Sequence, residues 1–245
     1  MTYPTRRVQG VLALADAGLN NCEIARRTGI PLSTVHRWRM QGVSARADCP
    51  VCEDPKALPA SYLYLLGLYL GDGHIVRFPR GVFRLSLYLS STYPDIIEEG
   101  SRALEDVRPQ GKVGRRVRRD NCVEVYSFWK HWPCLFPQHG PGMKHCRPIE
   151  LARWQGDLAR HFPGLLLRGL IHSDGCRVVN RVRAGGVEYS YPRYQFSNRS
   201  ADIRRIFCDS CDWLEVAWKQ SNFCTISVSR RADVAVLEDL VGPKT

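Results

Sequence analysis

Two aspartates close two similar stretches of this chain, Leu65-Leu66-Gly67-Leu68-Tyr69-Leu70-Gly71-Asp72-Gly73 and Leu167-Arg168-Gly169-Leu170-Ile171-His172-Ser173-Asp174-Gly175. Each stretch has the composition of a helix that ends at its acid. The C-terminal end of a helix carries partial negative charge and disfavours a carboxylate by about 0.3–1 kcal/mol. Two such ends side by side add repulsion of about 3 kcal/mol for carboxylates about 5 Å apart at an effective dielectric near 20. A bound divalent cation removes that cost, so acids in this position are suited to a metal site.

The acids need elements that bring them together. Glycine within a helix costs roughly 1 kcal/mol relative to alanine, yet Gly67 and Gly71 fall four apart on one face, and Gly169 and Ser173 repeat the spacing. Small residues at this interval form a shallow groove that receives another helix, and the natural partner of each copy is the other. Gly73 and Gly175 are expected to close their helices in the left-handed conformation.

On these residues the chain resembles the LAGLIDADG homing endonucleases in their two-repeat, single-chain form. The resemblance covers roughly residues 60–245, with the two motif acids 102 residues apart, about one repeat unit. It implies that Asp72 and Asp174 are the metal-binding catalytic acids, with Gly71 and Ser173 completing the metal set. Leu70 and His172 stand where the family can carry a further acid. The implied cofactor is Mg²⁺ or Mn²⁺, and the implied reaction is hydrolysis of both DNA strands across the minor groove to leave short 3′ overhangs.

Composition agrees with a polyanionic partner. A chain of 245 residues can hold one sizeable domain and a small one. Its formal net charge is +11 and its pI about 9.4, a bias that suits nucleic acid. Only six of the 35 basic residues are lysine, and arginine's planar fork matches phosphate and guanine edges. No run of 18 apolar residues and no signal-peptide layout occurs, so the expectation is a cytoplasmic protein with no membrane partner. The ten cysteines are read as thiols or metal ligands rather than disulfides.

The N-terminal part has helix-turn-helix spacing. An apolar stripe over 5–17 gives a first helix; Asn21 is placed as the cap of a second; Gly29 makes the turn; Pro31 and Ser33 open a third. Ile30, Val35 and Trp38 should be buried, leaving Ser33, Thr34, His36 and Arg37 outward for base edges and phosphates. Residues 1–42 are assigned to this domain and 43–60, broken by Pro50, Pro55 and Pro59, to a linker. Within the linker, Cys49-Pro50-Val51-Cys52 has the form of half a structural Zn²⁺ site.

Residues 61–245 are assigned to the duplicated domain, with repeat one over 61–136, a crossover over 137–162 and repeat two over 163–245. The run 82–90 alternates, with Phe83, Leu85, Leu87 and Leu89 on a core face and Arg84, Ser86 and Tyr88 on a face suited to the major groove. A basic hairpin turns at Asp120-Asn121 and carries Arg115, Arg116, Arg118 and Arg119. In repeat two, Arg193 and Gln195 echo Arg84 and Ser86, Arg181 joins the DNA-binding candidates, and 215–219 with 222–229 should form the second hairpin. Aligning Asn121 with Asn222 pairs Arg118 with Lys219, one cation per repeat, which the resemblance makes second-tier catalytic candidates. Between the repeats, His131, Cys134, His139, His145 and Cys146 could coordinate a metal, or the segment is a crossover with Lys144 and Arg147 near DNA.

The expected architecture is α+β: three N-terminal helices, then a two-repeat αββαββ domain with a saddle-shaped antiparallel sheet, acting as a monomer on double-stranded DNA. The alternatives are a non-cleaving regulator, resembling WhiA-type proteins that join a LAGLIDADG-like domain to a helix-turn-helix, and an intron RNA maturase.

Overall fold

The computed structural model describes residues 5–41 and 58–242. The chain forms two compact units, Met1–Cys49 and Pro50–Thr245. Cys49 and Cys52 lie outside the described residues.

The first unit is α1 (Thr5–Asp16), α2 (Asn21–Thr28) and α3 (Leu32–Gln41). Their apolar stripes meet in a small core of Val8, Val11, Ile24, Ile30, Val35 and Trp38. Gly29 makes the turn between α2 and α3 with φ of 67°, where a side chain would be strained. The cap of α2 is Asn20 and not Asn21. The Glu23 backbone N–H donates to Asn20 Oδ1 at 3.0 Å and the Asn20 N–H to Glu23 Oε2 at 2.9 Å, a reciprocal capping box. Asn21 instead bridges to α3, accepting from Arg39 at 2.6 Å and meeting His36 Nδ1 at 3.3 Å.

The second unit is built twice on one plan. Repeat one runs α4 (Ser61–Asp72), β1 (Gly73–Phe78), β2 (Val82–Ser90), α5 (Pro94–Val107), β3 (Val113–Val117) and β4 (Cys122–Trp129). A short α6 (Trp132–Leu135) and α7 (Arg153–His161) lie between the repeats. Repeat two runs α8 (Pro163–Asp174), β5 (Gly175–Ala184), β6 (Val187–Ser197), α9 (Ala201–Asp212), β7 (Lys219–Gln220) and β8 (Thr225–Val228), and α10 (Arg231–Val241) follows. The expected α+β class and element order are present. Each repeat has its own four-stranded antiparallel sheet, in the orders β1-β2-β4-β3 and β5-β6-β8-β7. Leu58, assigned to the linker, is buried.

Helices α4 and α8 form the shared axis. Residues 62–70 of α4 are all buried, and each fully buried leucine contributes about 1.5–3 kcal/mol. The small residues make the contact as expected. A Cβ on Gly67 would stand 2.6 Å from both Leu166 O and Leu170 N, and one on Gly169 would stand 2.2 Å from Tyr64 O. Backbone meets backbone here, and no side chain fits. Polar bonds tie the halves further: Arg168 of α8 holds Glu99 of α5 through Nε at 2.8 Å and Nη2 at 2.9 Å. His172, in the variable motif position, is buried, meeting Tyr64 Oη at 3.0 Å and donating from Nε2 to Val241 O at 3.1 Å.

The two closing glycines are not left-handed. Gly73 has φ/ψ of −90°/151° and Gly175 −105°/165°, extended values that carry the chain straight into β1 and β5. The reason for glycine is space: a Cβ on Gly73 would lie 2.4 Å from Tyr69 Cα, and one on Gly175 would lie 2.7 Å from Ile171 Cα.

The first basic hairpin turns where expected, through the three residues 119–121 between Arg118 and Cys122, with Asp120 and Asn121 both at positive φ, 63° and 54°, which Asp and Asn tolerate. The second is shorter than expected. Residues 215–218 form no strand, and β7 pairs only Lys219 with Ser227 and Gln220 with Ile226.

Candidate active site

Because α4 and α8 touch through glycine, their C-terminal ends arrive together. A Cβ on Gly71 would come within 2.3 Å of Ser173 Oγ and 2.9 Å of Asp174 Oδ2, so the second carboxylate lies against the residue that precedes the first. Asp72 and Asp174 are both half-buried. Asp174 accepts from Asn198 Nδ2 at 2.6 Å, an orienting bond not foreseen from sequence. Ser173 Oγ lies within hydrogen-bond distance of Leu170 O at 3.0 Å and Gly169 O at 3.1 Å on its own helix and of Gly67 O at 3.5 Å on the facing one.

The largest addition from tertiary structure is Lys144. Its ammonium crosses from the inter-repeat segment to the end of α4. There its three N–H donors lie among four carbonyls, Gly73 O at 2.7 Å, Leu70 O and Gly71 O at 3.1 Å each, and Tyr69 O. Leu70 O and Gly71 O, carbonyls left over at the helix end, are here met by one cation, whereas Tyr69 O also accepts from the Gly73 N–H. Burial pushes the Lys144 pKa down to about 8, while the neighbouring charges of Asp174 and Asp72 oppose that fall. The lysine thus sits within the field of both acids, a position that the expectation of a crossover residue near DNA did not specify. It supplies internally part of the positive charge expected of a cation.

The donors gathered here are carboxylate and main-chain carbonyl oxygens, a hard set that fits Mg²⁺ or Mn²⁺ better than a soft ion. Among the described residues no three His, Cys, Asp or Glu side chains cluster in a way that could hold a metal. That applies also to the histidines and cysteines of residues 131–146.

Cross-strand register sorts the nucleic-acid candidates. On the first sheet Arg84 faces Phe128, Ser86 faces Tyr126, and Tyr88 faces Glu124, which in turn faces Arg116 on β3. These share one face, because directly opposed residues point the same way. Arg84 lies over Phe78 at 5.3 Å and Arg116 over Tyr126 at 5.9 Å. Arg115 belongs to the other face, where it holds Glu98 and donates to Ser101 Oγ at 3.0 Å. Ser86 is fully buried and donates to Glu124 Oε1 at 2.9 Å, so the groove-reading role expected of it is corrected to a structural one. A hollow of about 710 Å³ opens on this sheet, lined by Tyr88, Arg116, Arg118, Arg119, Asp120 and Cys122.

On the second sheet the open face carries Arg193, Gln195 and Ser197, opposed by Val178, Ser227 and Thr225. Arg181 is opposite Ser190 on the reverse face of the β5–β6 ribbon and lies 3.9 Å from Glu188. Lys219 does not occupy the place of Arg118. It stands opposite Ser227, where the first sheet has Gly114 opposite Tyr126, about four residues or 13 Å along the strand. The alignment holds for β4 and β8, since Leu87 faces Val125 and Phe196 faces Ile226. It fails across the turn because the two hairpins close differently.

In the first unit Ser33, His36 and Arg37 are exposed and Thr34 is partly exposed. Residues 3–40 match the family model of the homeodomain-like domain. No curated protein matches the sequence. Among solved structures, the chain is similar to the LAGLIDADG meganuclease I-AabMI bound to uncleaved DNA, with 14% identity over 73% of this chain and 82% of that one and a TM-score of 0.47. It is also similar to the meganuclease I-SmaMI bound to uncleavable DNA, with 9% identity, 74% and 84% coverage and a TM-score of 0.46. For I-DmoI in complex with DNA and Mn the values are 12%, 76% and 98%, and 0.47. Among the described residues no helix is long and apolar enough to cross a membrane.

Proposed function

We propose that this chain is a site-specific double-strand DNA endonuclease that acts as a monomer, one acid serving each strand. The observation that carries the reading is that the Asp174 carboxylate lies against Gly71, the residue before Asp72, at the ends of two helices packed glycine against glycine. Asp72 and Asp174, with the Gly71 carbonyl, would hold Mg²⁺ or Mn²⁺, which when bound polarises a phosphoryl oxygen and lowers the pKa of a bound water. Asn198 orients the Asp174 carboxylate. Lys144 sets its ammonium on the carbonyls at the end of α4, within the field of both acids. Arg116 and Arg118 on one sheet and Arg193 and Lys219 on the other supply cations to the phosphate backbone, and Ser33, Thr34, His36 and Arg37 extend the contact through the first unit.

The test is incubation of the pure chain with its own flanking genomic DNA and Mg²⁺, with the ends of any products mapped. Paired cuts offset by a few bases, absent without the metal, are expected. One observation favours a second reading, a DNA-binding regulator that does not cut: the Lys144 ammonium lies on the carbonyls at the end of α4, Gly71 O among them, where a metal would be held. Tight, sequence-selective binding of the same DNA with no cleavage under Mg²⁺ or Mn²⁺ would establish that reading instead.

A further inference from the structure

Glu124 is the buried charge at the centre of the first sheet, its side chain 1% exposed, and nothing in its sequence neighbourhood marks it. Ser86 fixes one oxygen at 2.9 Å. Two guanidiniums approach from different strands and the turn: Arg84 Nη2 lies 3.5 Å from Oε1 and Arg118 Nη1 lies 3.6 Å from Oε2. A carboxylate this deep persists only if it is paired, so the charge draws both arginines to one spot. The pairing is loose, and Arg84 Nε and Glu124 Oε2 have no hydrogen-bond partner among the described residues. Each arginine has five N–H donors, and those neither turned to Glu124 nor buried, as Arg84 Nε is, can serve a ligand. Side-chain exposure of 20% for Arg84 and 46% for Arg118 leaves both within reach of a ligand.

We propose that Glu124 is a positioning residue for base recognition, its buried carboxylate drawing the Arg84 and Arg118 guanidiniums together on the face turned to one DNA half-site. The inference rests on the DNA-binding reading given above and adds a determinant to it. An arginine that is free to swing still neutralises a phosphate, since that attraction is long-ranged and tolerant of direction. Bidentate contact with guanine O6 and N7 requires a set orientation. Glu124 therefore governs selectivity and not overall attraction. The second sheet has no such hub: Thr225 stands in the matching register position and shares a 2.8 Å hydrogen bond with Ser197.

The experiment is selection of binding sites from a randomised duplex library with wild type and with Glu124→Gln, followed by titration of the selected duplex and of bulk genomic DNA at several salt concentrations. Glutamine keeps a partner for Ser86 and removes the charge. The expected result is that one half of the wild-type consensus loses its base preference, with the specific-to-bulk affinity ratio falling about tenfold or more and bulk affinity unchanged or higher. Ser86→Ala, which releases one carboxylate oxygen, should blur the same half to a lesser degree. A melting curve for each variant separates loss of selectivity from loss of fold, since unfolding lowers bulk and specific affinity together. If Glu124→Gln fails to fold, Ser86→Ala decides. An unchanged consensus with an unchanged ratio overturns the positioning role alone. If wild type enriches no site, the DNA reading fails and this proposal falls with it.

Discussion

The two sheets share a scaffold and differ in their open faces. Strand order is the same in both, and Gly73 faces Leu87 in one as Gly175 faces Phe196 in the other. Yet the first face is arginine and aromatic, with Arg84 over Phe78 and Arg116 over Tyr126 around a buried glutamate. The second sets Arg193, Gln195 and Lys219 among hydroxyls. Ser197 meets Thr225 at 2.8 Å and Ser221 meets Ser227 at 2.7 Å, while Tyr189 and Tyr191 stack on the extended ribbon with centroids 6.3 Å apart. Packing ties the repeats to one geometry at the axis, where a methyl group would collide with backbone. It places no such demand on faces turned away from the core, and there the halves have diverged.

The acids are the sharpest point at which to break this equivalence. Asp72→Asn and Asp174→Asn should each lower double-strand cleavage by about a hundredfold or more, with single-strand nicks accumulating on opposite strands. Electrophoresis of end-labelled duplex reads this directly, and nicking of the same strand by both variants would refute one acid per strand. DNA binding should persist in both.

Next in size is the axis itself. Gly169→Ala places a methyl 2.2 Å from Tyr64 O, and Gly67→Ala is nearly as tight, so each should cost about 3 kcal/mol or more in urea denaturation. Gly156→Ala, also helical but with nothing within 4 Å of the new Cβ, should stabilise by up to about 1 kcal/mol. Equal effects at the three sites would mean that the helices do not meet as described.

Lys144 belongs to one helix end only, contacting carbonyls of α4 and the Gly73 that follows. Lys144→Met should lower apo stability by about 1–3 kcal/mol, because it leaves those carbonyls short of a donor and removes a cation from the field of both acids. Added Ca²⁺ should recover more stability in this variant than in wild type, and a calcium titration followed by thermal melting would measure the difference.

The open faces should differ in their response to salt. Arg116→Ala should weaken binding by a similar factor on all sequences and reduce the slope of log affinity against log salt by about one. Ser227→Ala should leave the slope unchanged. A common response would make the two faces electrostatically alike.

The smallest effect separates the flanking helices. Cys208 and Cys211 lie buried on α9, and burial raises both thiol pKa values, Cys208 to about 12. An ordinary thiol titrates near 8.5, so the folded state disfavours the thiolate. This contribution to stability is complete below about pH 8.5 and is lost as pH rises towards 12. Iodoacetamide at pH 8 should label exposed Cys22, Cys146 and Cys176 and spare the α9 pair. Helix α5 has no cysteine and should show no matching alkaline loss.

What the sequence by itself determined were features written in local spacing. Glycines four apart announced a close helix contact, alternation over 82–90 gave β2 to the residue, and Asp120-Asn121 specified its turn. These follow from the periods of helix and strand and from the few residues that tolerate positive φ. Tertiary structure alone decided which charges meet. Lys144 reaches carbonyls 71 to 75 residues away, Glu124 gathers arginines from two other segments, Asn198 finds Asp174, and Lys219 slips out of register with Arg118. Such contacts depend on how elements pack and on where a turn closes, and a side chain that finds its partner through space leaves no period in the chain to be read.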